Sequence, residues 1–197
     1  MTPPGSAPGE RVDDPVAELV GRQARGERIK YLHFWGHTPP RGRDDGSPGP
    51  WCLSQWWPSP FTVDGVPYPT AEHWMMAAKA RLFGDAAAEE RIMATPEPGA
   101  AKAAGRAVRG FDEEVWARHR FGIVVEGCVH KFGQHGELRA FLLATRGRVL
   151  VEASPLDRIW GIGLAAEDER APDPARWRGL NLLGFALMTA RERLETG

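Results

Sequence analysis

Cysteine, net charge and long apolar runs are all scarce in this sequence, and each scarcity removes a class of protein. Only two cysteines occur among 197 residues, Cys52 and Cys128, far apart and in apolar surroundings. That pattern suits buried, reduced thiols rather than a disulfide framework, and it points to a reducing compartment. The formal net charge is −1, so there is no electrostatic footprint for coating nucleic acid, and any such contact must be local. No stretch reaches the roughly 18 apolar residues that suggest a membrane span. The Pro/Gly-rich start, Met1 to Arg11, also lacks the basic end and apolar core of a secretory signal. A soluble cytoplasmic protein without a membrane partner is expected.

Familiar metal and nucleophile templates are missing as well. His33 and His37 lack the glutamate of H-E-x-x-H, and His130 and His135 have no carboxylate or cysteine ligand at a familiar spacing. There is no G-x-S-x-G elbow, phosphate-binding loop or G-x-G-x-x-G, so acyl transfer, kinase and hydride chemistry lose their best support. Neither a metal nor a cofactor is expected.

What is present reads as one domain of α+β class, predominantly helical with a small β element. Residues 1–26 form an N-terminal extension, disordered to about residue 12 and then helical from the Asp14-Pro15 cap, ahead of a domain over 27–197. Ile29 to Trp35 reads as a strand, Gly36 to Pro50 as a loop, and Trp51 to Phe61 as a second, irregular strand at an edge because of Pro58 and Pro60. Asp64-Gly65 marks a tight hairpin turn. Helices follow over Thr70–Leu82, Asp85–Ala94, Glu97–Arg106, Asp112–Phe132 and Glu137–Thr145, the fourth with a core stripe of Val115, His119, Gly122, Val125, Val129 and Phe132. Arg148 to Ala153 is a strand, Ala165 to Arg178 a surface loop and Asn181 to Leu194 a closing helix.

Three places can carry chemistry. Glu72 and Lys79 are seven residues apart and share one helix face, with Lys79 able to lean back over Met75 and Met76 towards Glu72. Burial would raise the proton affinity of the carboxylate and lower that of the amine, as a general acid and an amine nucleophile require; an ordinary helix with both groups solvated fits the same spacing. The Glu152 to Gly163 segment combines carboxylates, an aromatic and flexible backbone at a strand end: Asp157 could hold a sugar hydroxyl, Trp160 could stack on a base, and the backbone at Gly161 and Gly163 could approach an anion. A tight structural turn fits that segment equally well. Arg106 could bind phosphate, or be a plain surface residue, and Trp56 with Trp57 and Phe61 makes either a core patch or a stacking wall.

Val63-Asp64-Gly65, Tyr68-Pro69-Thr70-Ala71-Glu72-His73, Lys79, Ala104-Gly105-Arg106, Lys131-Phe132, Leu142 to Thr145, Val151-Glu152, Asp157, Trp160 to Gly163 and Asn181 to Gly184 together resemble, in order, the NADAR family of YbiA-like N-glycosidases over residues 29–195. The resemblance implies a single mostly helical α+β domain that hydrolyses ribosyl N-glycosides. It implies catalysis by Glu72, Lys79 and Asp157, a Schiff base on Lys79, and substrate contacts from Trp56, His73, Arg106, Trp160, Gly161 and Gly163. Ser54-Gln55-Trp56 and Met76-Ala77-Ala78-Lys79 depart from the Ser-Asn-Phe and Gln-Ala-Gln-Lys often found in that family.

The implied substrates share a ribose joined through C1′ to an amine nitrogen, with a 5′ phosphate. The leading expectation is a ribosylaminopyrimidine phosphate of riboflavin biosynthesis, because the near-neutral chain favours a small anion over a duplex. ADP-ribose on guanine in DNA is the close alternative. A non-catalytic module binding ADP-ribose or NAD is the third.

Overall fold

The computed structural model describes residues 14–43 and 46–196; the disorder expected over residues 1–12 lies outside them. Helix α1 spans Pro15–Ala24 and starts where Asp14 accepts the amides of Val16 and Ala17. Strand β1, Tyr31–Phe34, pairs in parallel with β4, Val149–Glu152, in the register Tyr31↔Val149 to Phe34↔Glu152. Strands β2 (Phe61–Val63) and β3 (Val66–Tyr68) form the expected hairpin. Its two turn residues, Asp64 at φ 50° and Gly65 at φ 81°, both occupy the left-handed region that favours Asp-Gly.

Between β3 and β4 come α2 (Ala71–Leu82), α3 (Ala86–Ala94), α4 (Pro98–Arg106), α5 (Glu113–Gln134) and α6 (Gly136–Ala144), and α7 (Leu182–Thr196) is the last element. Asp85 and Asp112 cap α3 and α5 by accepting the amides of Ala88 and Val115, a local contact that stabilises a helix by about 0.5–2 kcal/mol. Helix α5 is the spine, packed against α2, α6 and α7. The α+β, mainly helical reading therefore holds.

Two local expectations do not. Trp51 to Phe61 is no strand: Pro50–Leu53 is a short 3-10 turn whose Trp51, Cys52 and Leu53 are all buried, and regular pairing begins only at Phe61. Three successive buried side chains are incompatible with the alternation of a half-buried strand. On α5 the buried positions are Trp116, Val124, Val125, Gly127, Cys128, Lys131 and Phe132, while His119 and Gly122 face solvent. The stripe is displaced because α2 and α7 cover α5 from two sides. The loop over 165–178 lies at the surface as expected and is anchored there: Ala171 and Pro174 are buried, Pro174–Arg176 forms a 3-10 turn, and Gln23 donates to the Pro172 carbonyl at 2.9 Å.

Candidate active site

Helix α2 is the axis of the site. Thr70 precedes its first turn, but the Thr70 hydroxyl bonds His73 Nδ1 at 2.8 Å instead of capping the backbone. Glu72 is therefore held by another element: its amide donates to the Gln55 carbonyl at 3.0 Å. That bond ties the start of α2 to the segment after the 3-10 turn. Glu72 is 2% exposed, and its Oε1 is buried with no hydrogen-bond partner.

Glu72 and Lys79 both line a cavity of about 600 Å³, which also takes in Trp56, Lys102, Arg106, Glu152, Asp157 and Trp160. The volume is within the ordinary range for small-ligand pockets. The side chains come from α2, α4, the end of β4, the loop after it and the segment following the 3-10 turn. The spacing argument is right that one helix face carries Glu72 and Lys79. It is wrong about where the amine goes. Lys79 Nζ donates to the Gly105 carbonyl at 3.0 Å and lies 4.1 Å from the Phe111 ring centroid, and no ion pair joins it to Glu72 among the described residues. Seven residues of helix span ~10 Å along the axis, and the carbonyl and the aromatic face of Phe111 offer the ammonium a nearer seat. Gly105 permits this close approach of α4, since a Cβ there would collide with the Met76 side chain.

Electrostatics divide the two ends of α2. Burial pushes the Glu72 carboxyl up to about 7, and the negative charge of Asp157 adds to the rise; Lys102, a hydrogen bond from Trp56 and Arg106 pull it down. Burial likewise holds the Lys79 amine below its usual value, with Arg106 reinforcing and Glu113 opposing that shift. A carboxyl that keeps its proton near neutrality and an amine that loses one early are the tuning required for general-acid and amine-nucleophile chemistry.

The other expected residues separate. Asp157 Oδ1 accepts the amides of Ile159 at 2.9 Å and Trp160 at 2.8 Å, which orders the loop and leaves its second oxygen beside the cavity. Trp56 and Trp160 form apolar wall, and Arg106 lies on the cavity side of α4. His73, however, is 0% exposed and off the cavity, bridging Thr70 to the Thr95 carbonyl at 3.0 Å, so it fastens α2 rather than touching a ligand. Gly161 and Gly163 are also off the wall. A Cβ on Gly161 would sit 2.8 Å from the Glu152 carbonyl oxygen, and the Gly163 amide is spent on the Asp157 carbonyl at 3.1 Å. Their role is to let the turn close, and an anion cannot recruit the Gly163 amide.

Sequence reasoning missed Lys102 and Gln55 as cavity residues, and it included Glu152 in the candidate segment without giving it a role. Lys102 stands four residues before Arg106 on α4, a spacing that puts both cations on one helix face and could have been read. Its ammonium lies 5.9 Å from the Trp56 ring centroid. That Glu152 turns its side chain into the cavity was not legible locally, because it depends on the β1–β4 pairing.

Residues 34–195 match the family described as NADAR domain. The chain belongs to the NADAR domain family. It is 40% identical to N-glycosidase R617 of Acanthamoeba polyphaga mimivirus over 84% of this chain and 97% of that protein, and 35% identical to N-glycosidase YbiA of Escherichia coli strain K12 over 68% and 76% respectively. The NMR structure of E. coli YbiA superposes with a TM-score of 0.66 at 30% identity, covering 86% of this chain and 87% of that one. This NADAR chain is accordingly an enzyme of the N-glycosidase class. No helix among the described residues is long and apolar enough to cross a membrane.

Proposed function

We propose that this NADAR domain works in the cytoplasm on the N-glycosidic bond between a phosphorylated ribose and the amine nitrogen of a base, with ribosylaminopyrimidine phosphates of riboflavin biosynthesis as the first substrates to test. The observation that carries the reading is a buried Glu72 carboxyl, with one oxygen left unbonded, on the same cavity as the desolvated amine of Lys79. Lys102 and Arg106, both on the cavity side of α4, are suited to a 5′ phosphate, and Trp56 and Trp160 supply flat surfaces for sugar or base. Asp157 retains one oxygen for a ribose hydroxyl. In this scheme Glu72 protonates the ring oxygen as C1′–O4′ opens to an imine. Neutral Lys79 then adds to C1′, and a proton passes from its nitrogen to the base nitrogen. The C1′–N bond to the base breaks, leaving an iminium on Lys79 for water to hydrolyse.

A second substrate reading, ADP-ribose on guanine in DNA, draws on the rim. Trp35 is 61% exposed at the cavity mouth, and the rings of His37 and Trp56 beside it are 5.6 Å apart between centroids. Such surfaces stack on bases without reading sequence. Mass spectrometry of the protein offered a ribosylaminopyrimidine phosphate, or an oligonucleotide with ADP-ribosylated guanine, separates the readings by which base is released. Borohydride added during turnover should leave a pentose adduct on Lys79; turnover undiminished in Lys79→Ala removes the lysine from the mechanism. ADP-ribose binding with no hydrolysis of either substrate would leave a binding module.

A further inference from the structure

Glu72 is not the only acid on the cavity with a buried oxygen left unbonded. Glu152 closes β4, and the strand end is fixed on both backbone sides. Its amide donates to Asn181 Oδ1 at 2.9 Å, and its carbonyl accepts the Ile162 amide at 2.9 Å. The side chain has no such anchorage: Oε2 is buried with no hydrogen-bond partner, and the residue lines the cavity with Glu72. Glu152 is absent from every ion pair among the described residues. Two buried, unbonded carboxyl oxygens on one cavity, neither residue in an ion pair among the described residues, disfavour simultaneous ionisation.

We propose that Glu152 is a catalytic residue of this site, forming with Glu72 a carboxyl pair that holds one proton at neutral pH and supplies both an acid and a base. The inference rests on the N-glycosidase scheme above. Burial pushes Glu152 up to about 8, with Asp157 and Glu72 adding to the rise and Lys102 opposing it. The remaining charged or titratable groups on the cavity are Lys79 and Arg106, from α2 and α4, and His37, from the loop after β1.

The shared proton balances the reaction. The pair gives it to O4′ on ring opening and is doubly ionised while the positive charge sits on the nitrogen at C1′, first that of the base and then that of Lys79. As water oxygen bonds C1′, one carboxylate takes the water proton and passes it to Nζ. The other takes the new hydroxyl proton as C1′–Nζ breaks to the aldehyde. Lys79 is again a neutral amine and the pair again holds one proton. A lone Glu72 would have to perform every one of these transfers itself.

Carboxyl 13C NMR titration of the full chain, labelled at glutamate, tests the pair without needing a substrate. Two glutamate carboxyls should titrate above about pH 6, well clear of the usual value near 4.3, and Glu152→Gln should move the Glu72 midpoint downward by removing its negative neighbour. A Glu152 carboxyl titrating below about pH 5, or a Glu72 midpoint unmoved in that variant, overturns the proposal. With whichever substrate the wild type hydrolyses, Glu152→Gln should cut kcat by ~10²-fold with little change in KM, and Glu152→Asp should recover part of it. Wild-type kcat in Glu152→Gln also overturns the proposal. A wild type inert on both substrates counts against the N-glycosidase scheme alone, while the titration still decides whether the pair exists.

Discussion

The Lys131 ammonium donates to the Ser54 carbonyl at 2.8 Å and to the Cys52 carbonyl at 2.6 Å, and it is in no ion pair among the described residues. It fastens the 3-10 turn whose next residues, Gln55 and Trp56, hold the amide and the carboxyl of Glu72. Lys131→Met should therefore lower stability, by about 1–3 kcal/mol for the unpaired carbonyls, and should reduce kcat as Trp56 and Gln55 drift. Burial holds the amine down at about 8 in the folded protein. The unfolded chain binds that proton more tightly, so stability rises with pH from about 8 towards the ordinary lysine value near 10.4. Urea unfolding at pH 8 and pH 10 should show this rise in the wild type and less of it in the variant.

Glu72 makes the opposite demand on pH. Its folded value of about 7 lies above that of the unfolded chain, so its favourable contribution is complete below about pH 4.5 and is lost as pH climbs through 7. Glu72→Gln should be more stable than wild type at pH 8, by on the order of 3 kcal/mol, and nearly equal to it at pH 4.5. Thermal melts at the two pH values measure the difference. Equal melting temperatures at pH 8 would mean that the carboxyl is better solvated than its burial indicates. Turnover should be lost in either case.

The pH dependence of kcat/KM should expose the Lys79 amine. Arg106 lowers its proton affinity and Glu113 raises it. The rising limb should therefore move to lower pH in Glu113→Gln, because more amine is neutral at a given pH. It should move to higher pH in Arg106→Gln, which should also raise KM if the guanidinium meets phosphate. Limbs that stay in place in both variants would assign the titration to another group.

His73 should matter to folding and not to chemistry. Its ring links Thr70 to the Thr95 carbonyl, so His73→Phe should cost ~1–3 kcal/mol in denaturant unfolding by leaving buried polar groups unpaired. Folded variant should retain wild-type kcat.

The parts legible in the sequence are those fixed by neighbours along the chain. Asp14, Asp85 and Asp112 announced helix starts because a cap is made within three residues, and Asp64-Gly65 announced its turn. Glu72 and Lys79 could be placed on one face from helix geometry. What tertiary packing decides was hidden. His73 follows Glu72 immediately, yet successive residues point about 100° apart on a helix, and His73 faces α3 and its exit rather than the cavity. Lys79 found a carbonyl on α4, Lys131 found two carbonyls in the turn after Gly49, and Glu152 became a cavity residue only through strand pairing.

The parallel pairing of residues 31–34 with 149–152 also sets when activity can begin during synthesis. A ribosome delivers the Glu72 and Lys79 helix long before β4 and the Asp157 loop, and Asn181, which grips both Leu150 and Glu152, comes later still. The nascent chain thus carries half a cavity until nearly its last helix has emerged. Truncated products of stalled translation would hold the reactive amine without the opposing carboxyl or the loop, and so would be hydrolytically silent.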